Sequence, residues 1–434
     1  KFMPSYKNRY WDGKVRLFSI KTNKIYIGLL PYVDEFCRER GFNFEGIQDV
    51  IGEKNTEKLG PETETWLQDL KLPFEPRDYQ LDAFNTTIKY GRQLLLSPTA
   101  SGKSLIIYLL ARYYNKKTII IVPTTSLVEQ MAKDFIDYGY DEEICKIYAG
   151  QPVFDSAITI TTWQSFAKAP KEVMQSFDVV VGDEAHLFKA QTLKGILEKM
   201  KTTAIRFGTT GTLDGSECHR LQLEGMFGPV KKVITSSQLM EEGTIAQISI
   251  QCVILRHTKQ KKMTYQEEMD YLCSNEERNK FITNLVSSLK GNTLVLFQYV
   301  EKHGEVLYPM LDGRVKDLHY VYGGTDTEDR ETVRELVEKS NDSVILASYG
   351  TFSTGINIKR IDNVVFASPS KSKIRNLQSI GRGLRKTDGK DSMRLFDISD
   401  DLQCDNFTLR HLKERINTYN EENFPYELKQ FDLK

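Results

Sequence analysis

Eight residues, Ser97 to Ser104, read SPTASGKS and follow directly on the apolar run Leu94, Leu95 and Leu96. A buried strand that turns through small residues into a helix, with Gly, Lys and Ser at the turn, is suited to hold phosphate. Gly102 lets the backbone come close, Lys103 offers a point charge, and Ser104 offers a hydroxyl to Mg²⁺. The helix that begins there adds its dipole, and Thr99, Ala100 and Ser101 complete the cradle. The full pattern begins on glycine, and this chain has Ser97 in that place. By itself the segment therefore also describes a plain Ser/Gly-rich turn.

A second segment, Val179 to His186, reads VVVGDEAH. Its valines make a buried strand, and Asp183 and Glu184 fall at the strand end, where open α/β sheets bind their ligands. Asp183 is suited to hold Mg²⁺ together with Ser104, and Glu184 to orient and deprotonate an attacking water. Adjacent carboxylates at a strand end are alone an ordinary solvated turn. Behind a phosphate loop in the same alternating unit, they indicate nucleotide hydrolysis.

The rest of the chain supplies the sheets. Apolar runs at 94–97, 118–122, 157–161, 178–182 and 205–209 read as buried strands, with amphipathic stretches such as Ser104 to Tyr114 and Ser126 to Tyr138 between them. The alternation restarts near residue 275, with strands expected at 293–297, 318–322, 344–348, 363–368 and 393–398. The fold class is α/β, with two parallel-sheet domains in tandem. Pro73 and Pro76 mark where the first begins. Residues 1–72 are rich in aromatics, among them Phe2, Tyr6, Tyr10, Trp11, Phe18 and Tyr26, and read as a small N-terminal α+β accessory domain. The expected domains are 1–72, 73–235 with the phosphate loop, and 236–434, in which 236–275 connects the two halves. A chain of 434 residues is long enough for each to bury its own core.

The formal net charge is zero, 59 Lys and Arg against 59 Asp and Glu, so the whole chain does not declare a polyanionic partner. Two stretches do. Residues 1–24 carry Lys1, Lys7, Arg9, Lys14, Arg16, Lys21 and Lys24 against Asp12 alone, and Lys359 to Lys386 sets eight Lys or Arg against Asp362. Within the second stretch, QSIGRGLR contains Gln378, Arg382 and Arg385, the arginines three apart on one helix face. Aimed from a second lobe at a γ-phosphate, such guanidinium groups are worth roughly 10³–10⁵ in rate; alone they describe an exposed basic helix. The six cysteines have no metal-like spacing and read as reduced thiols. No window approaches the roughly 18 apolar residues of a membrane span, and no signal-peptide pattern opens the chain. A cytoplasmic protein is expected, in the host cytoplasm if phage-encoded. The chain opens on Lys1 rather than Met, so preceding residues are expected.

Taken in order, these segments resemble a superfamily 2 helicase from residue 77 to beyond 390. Arg77, Tyr79 and Gln80 in RDYQ resemble the adenine-recognising motif. PTTSLVEQ, with Thr124, and TTWQS, with Thr162, Trp163 and Gln164, resemble two strand-contacting motifs. DEAH is the second motif, its His186 joining Thr210, Gly211 and Thr212 of the third, which couples ATP state to domain movement. Val295 to Tyr299 begins the second lobe. SYGTFSTGIN resembles the fifth motif, with Thr351 toward nucleic acid and Gly355 toward nucleotide, and QSIGRGLR the sixth. Asn357 stands where the fifth motif usually has Asp, and the third reads TGT rather than SAT. Outside these motifs, YWDGKVRL at 10–17, TYQEE at 264–268 and KSKI at 371–374, with Lys371 and Lys373, resemble the phage recombination and branch-migration helicases of the UvsW type.

The resemblance implies two RecA-like domains with ATP between them and Mg²⁺ as cofactor. It implies a DNA helicase that remodels branched DNA in phage replication, recombination and repair: fork regression, Holliday junction branch migration, and D-loop and R-loop unwinding. DNA is the expected partner, with phage recombination or replication proteins beside it and no membrane. Residues 1–72 are the expected source of substrate choice. An RNA helicase and a non-remodelling ATP-dependent clamp are the alternatives, and Glu184 beside the phosphate loop weighs against the clamp.

Overall fold

Two seven-stranded sheets, every strand pairing parallel, form the frame of the computed structural model. It describes residues 8, 12, 14–44, 61–148, 154–187, 190–200, 203–213, 217–351, 358, 360–368, 372, 380, 381, 384 and 390–433. One compact unit comprises Lys1–Ser97 and Gly102–Val233, and the main span of the other is Ile234–Lys434. The architecture is α/β with two RecA-like parallel sheets in tandem.

The first unit opens with the short pair β1 (Phe18–Ser19) and β2 (Lys24–Ile25), then α1 (Leu30–Glu39), α2 (Pro61–Asp69) and α3 (Asp78–Tyr90). The alternation follows: β3 (Arg92–Leu96), α4 (Lys103–Tyr114), β4 (Thr118–Val122), α5 (Thr125–Asp137), β5 (Ile144–Ile147), β6 (Ile158–Thr162), α6 (Trp163–Phe166), α7 (Lys171–Gln175), β7 (Val179–Gly182), α8 (Ala190–Lys199), β8 (Ile205–Thr210), α9 (Glu217–Phe227) and β9 (Val230–Lys232). The strand order is β5-β6-β4-β7-β8-β3-β9. Strands covered on both faces carry apolar residues without alternation, and β4 is buried at every position. The middle of helix α4 is buried on every side: Leu105, Ile106, Ile107, Leu109 and Leu110 are all buried. Each contributes about 1.5–3 kcal/mol by leaving water. Helix α5 buries a single stripe, Val128, Met131, Ala132 and Phe135, as a surface helix does.

Two stretches of residues 1–72 pack into this unit rather than standing apart. The 3₁₀ turn Ile27–Leu29 lies on α9. A Cβ on Gly28 would sit 1.9 Å from the Glu224 carbonyl oxygen, so only glycine fits there. Tyr32 donates to the buried Glu224 carboxylate at 2.6 Å, and Arg220 donates to the same group at 3.1 Å. Further on, Trp66 of α2 stacks on Phe84 of α3 and meets Tyr113 of α4 edge-on.

The second unit runs α10 (Ser236–Glu241), β10 (Gln247–Arg256), α11 (Tyr265–Ser274), α12 (Glu276–Ser288), β11 (Thr293–Phe297), a π-turn at Val300–Gly304, α13 (Glu305–Leu311), β12 (Asp317–Val321), α14 (Thr327–Lys339), β13 (Ser343–Ser348), β14 (Asn363–Phe366), β15 (Ser392–Asp401), α15 (Phe407–Glu421) and β16 (Tyr426–Asp432). Its strand order is β12-β13-β11-β14-β15-β10-β16. The stretch 236–275, which the sequence suggests as a connection, thus contains β10, paired on both sides by β15 and β16. Buried ion pairs fix β15. Arg278 donates to Asp400 and to the Ala367 carbonyl, both at 2.8 Å, and Arg415 donates to Asp397 at 2.8 Å. Burial alone raises the Asp400 pKa, but the Arg278 charge and the His257 and Arg278 hydrogen bonds outweigh it and hold the group low. Within TYQEE, Thr264 and Glu267 cap α11, while buried Glu268 accepts the backbone N–H groups of Phe407 and Thr408 and caps α15. Among the described residues, no helix is long and apolar enough to cross a membrane.

The seat of the N-terminal segment is testable. Gly28→Ala drives a methyl group into the Glu224 backbone and is expected to cost about 1–3 kcal/mol locally. Amide hydrogen exchange should quicken over Tyr26–Glu39 while β4 and β7 keep their protection. Unchanged exchange over that segment would show that the contact does not hold it.

Candidate functional site

The strand order sets the problem that the site must solve. Strand β3 delivers the phosphate loop and β7 delivers Asp183 and Glu184, but β8 lies between them. The pairs Gly182↔Gly208 and Leu96↔Thr210 bring the three strand ends to one level. Thr209 and Thr210, the last residues of β8, then join the two sides. Thr209 Oγ1 donates to Asp183 Oδ1 at 2.5 Å, and the Ser97 N–H donates to the Thr210 carbonyl at 2.9 Å.

The loop takes its form from two left-handed residues. Ala100 has φ +67° and Gly102 has φ +78°. At Gly102 a side chain is excluded twice, by that φ and by Gln80, whose Nε2 lies 2.3 Å from where a Cβ would be. Gln80 is buried, and its Oε1 accepts the Arg77 N–H at 2.9 Å, so α3 carries its amide to the loop's edge. Arg77 itself donates to the Tyr79 hydroxyl. Ser101 Oγ closes the turn on the Pro98 carbonyl at 2.7 Å. Thr99 is half-buried in the loop.

Lys103 reaches back across its own loop. Its Nζ lies 3.3 Å from the Ser97 carbonyl oxygen and 3.4 Å from Glu184 Oε1, with side-chain exposures of only 12% and 20% for Lys103 and Glu184. Glu184 has φ +50°, a strained setting for a residue with a Cβ. Burial pushes the Asp183 carboxyl up to about 6, assisted by the neighbouring Glu184 charge. Burial also works against a charged Glu184. There the Lys103 and His186 charges and hydrogen bonds from Lys103 and the Gly211 backbone outweigh it, and the net shift is downward. The two adjacent carboxyls are thereby pushed in opposite directions, Glu184 toward the charged form and Asp183 toward the neutral one.

His186 ties this pair to the third strand end. Its Nδ1 is 2.6 Å from Thr210 Oγ1 and 3.4 Å from Glu184 Oε2. The Thr210 hydroxyl donates its one proton to the Thr212 carbonyl at 2.8 Å, so it accepts from His186 and the imidazole carries hydrogen on Nδ1. His186, Thr210, Gly211 and Thr212 are therefore in one network with Glu184. Ser104 Oγ lies 2.7 Å from the Tyr138 hydroxyl.

The strand-contacting residues expected in this unit sit at the ends of adjacent strands, β4 and β6, which pair Val122↔Thr162. Thr124 and Thr162 are N-caps, accepting from Leu127 N and Ser165 N. Gln164 reaches the Pro123 carbonyl at 3.5 Å, and Trp163 packs partly into the core. In the second unit, Thr351 is buried against Ser348 Oγ at 2.8 Å. Gly355, Lys371, Lys373, Gln378, Arg382 and Arg385 lie outside the described residues, as do Tyr10 and Trp11. Sequence reasoning passed over Thr209, the carbonyl of Ser97 and Tyr138. For Thr209 a signal existed, a second hydroxyl directly before Thr210 at a strand end.

Comparison with known proteins bears on the family and the fold of the chain. Residues 73–215 match the family described as the res subunit of type III restriction enzymes, and residues 277–387 match the helicase conserved C-terminal domain. The ATP-dependent DNA helicase uvsW of Enterobacteria phage T4 is 34% identical over 470 residues, spanning 100% of this chain and 93% of its own length. Putative helicase 22 of Sulfolobus islandicus filamentous virus is 25% identical over 78% of this chain and 67% of its own. The fragment structure of a putative HsdR subunit of a type I restriction enzyme from Vibrio vulnificus YJ016 superposes with a TM-score of 0.62 at 17% identity, over 92% of this chain and 74% of that one, which speaks for the fold. This chain belongs to the superfamily 2 helicases, within the family of the phage ATP-dependent DNA helicase UvsW.

Proposed function

We propose that this protein is an ATP-driven DNA motor that remodels branched DNA by fork regression, junction branch migration, and D-loop and R-loop unwinding. The observation that carries the motor reading is the meeting of Lys103, Asp183 and Glu184 across the end of β8. A nucleotide's β/γ-phosphates compete with Glu184 for Lys103. Once they take it, the Glu184 carboxylate is free to accept a proton from an attacking water. His186 and Thr210 then carry any shift of Glu184 to the third motif. Arg382, Arg385 and Gln378 are assigned to the developing phosphate charge from the resemblance alone. An enzyme of this kind separates itself from a clamp by turnover, and Glu184 is the group that turnover needs.

The residues fit Mg²⁺. The buried Asp183 carboxylate and the Ser104 hydroxyl at the head of α4 are oxygen donors of the kind a hard cation takes together with retained waters. Asp183 and Ser104 would hold the ion, which supplies charge neutralisation at the phosphates.

For the track, Thr124 caps α5, a helix of 13 residues whose N-terminus favours phosphate, and Thr162 stands at the end of the neighbouring strand β6. Contacts of this kind position a strand without reading its sequence, which suits a translocating enzyme. Thr351, Lys371 and Lys373 are assigned to nucleic acid from the resemblance alone. Branch selection is assigned to the N-terminal residues. There Lys14, Lys21 and Lys24 are exposed on and beside the β1–β2 hairpin, with Ile20 exposed at 85% on its turn. Cationic and apolar groups together suit backbone and base contacts at a junction.

Two outcomes test the site. Lys103→Ala should lower DNA-stimulated ATP turnover by about 10²-fold or more and abolish strand displacement, while DNA binding persists; full remodelling by the variant would remove the motor site from Lys103. The raised Asp183 pKa means that below about pH 6 a cation must displace a proton. Mn²⁺ affinity, read by electron paramagnetic resonance, should therefore fall about tenfold for each unit below that point and be flat above it. A pH-independent affinity would contradict Asp183 as ligand.

A further inference from the structure

The phosphate loop has one neighbour that nucleotide chemistry has not used. Tyr138 is the C-cap of α5, and its ring lies edge-on to Phe74 at 5.6 Å and to Tyr108 at 5.5 Å. Phe74 precedes the adenine-motif segment, and Tyr108 lies one turn beyond Ser104 on α4. The two aromatic contacts aim the phenol at the first turn of α4, where its oxygen lies 2.7 Å from Ser104 Oγ. Burial raises the Tyr138 pKa, so the phenol keeps its proton through the neutral range.

A serine hydroxyl has one proton and two lone pairs. A metal ion takes a lone pair, so the proton must point elsewhere, and a free rotor points it toward the cation part of the time. We infer that Tyr138 is a positioning residue for the nucleotide's cation: its oxygen accepts a hydrogen bond from the Ser104 hydroxyl and leaves the Ser104 lone pairs facing the loop. Asp183 does not serve this purpose through its Oδ1, which already accepts from Thr209 and from the Glu184 N–H. The role of Tyr138 is that of the outer partners that orient metal ligands, whose removal costs about 10–100-fold in metal affinity. The inference rests on Ser104 being a metal ligand.

Tyr138→Phe in the full chain deletes one oxygen and keeps both ring contacts, so its melting temperature should match the unsubstituted protein. Mn²⁺ binding in the presence of a non-hydrolysable ATP analogue, read by electron paramagnetic resonance, should weaken about tenfold. The Mg²⁺ dependence of ATP turnover should shift to higher concentration, with kcat regained at saturating Mg²⁺. Analogue binding without metal should be unchanged. Ser104→Ala serves as the reference. If it weakens Mn²⁺ binding and Tyr138→Phe does not, the positioning role is overturned and the metal reading stands. If neither variant changes Mn²⁺ binding, Ser104 is not a ligand and both fall. A loss of kcat in Tyr138→Phe that saturating Mg²⁺ does not restore also overturns the role.

Discussion

The hydrogen bond from Thr209 to Asp183 is the contact on which the site depends. The sheet order separates the strand that carries the phosphate loop from the strand that carries the carboxylates, and β8 fills the gap. Without hydroxyls at the end of β8, Asp183 would be a buried carboxylate with the Glu184 N–H as its remaining hydrogen-bond donor among these contacts. Burying a charge without partners costs several kcal/mol. Thr209 meets that demand on one side, and Thr210 meets the loop and His186 on the other. The backbone ladders set the register of β3, β7 and β8, and this pair of threonines links Asp183 and His186 to the end of β8 beside the loop.

That arrangement is held ready rather than relaxed. Glu184 keeps a left-handed backbone, Asp183 is pushed toward protonation, and Lys103 leans on a carboxylate that a phosphate would displace. Each feature stores a little free energy that nucleotide and cation can release on binding. The opposite policy governs the second unit, where Arg278 with Asp400 and Arg415 with Asp397 are paired deep in the core. Breaking such a pair from one side costs about 3–5 kcal/mol, so these groups fix β15 and its helices. The chemistry is therefore soft where ligands exchange and rigid where the frame must not move.

Much of this was legible in the residues. The apolar runs at 118–122 and 293–297 are strands with those bounds, because strands buried on both faces cannot hide their composition. The elements that escaped did so for definite reasons. Strands β5 and β9 are only a few residues long. Strand β16 is exposed at nearly every position, so no apolar pattern marks it. Strand β10 does alternate, but it stands before the second run of strand and helix and so read as a connection, whereas β15 and β16 close around it. In the site, Lys103, Asp183 and Glu184 announced themselves by spacing. Tyr138 did not, because its relation to Ser104 exists only once α4 and α5 are packed. Gly28 and Tyr32 show the same limit: their docking on α9 joins distant parts of the chain.

The central claim is that ATP hydrolysis at this loop drives movement along branched DNA. Strand displacement on a panel of synthetic forks, four-way junctions, R-loops and linear duplexes, each with and without ATP, tests it most directly. The account predicts ATP-dependent remodelling of the branched substrates and little of the linear duplex. Equal displacement of linear and branched DNA, or displacement that proceeds without ATP, would contradict it.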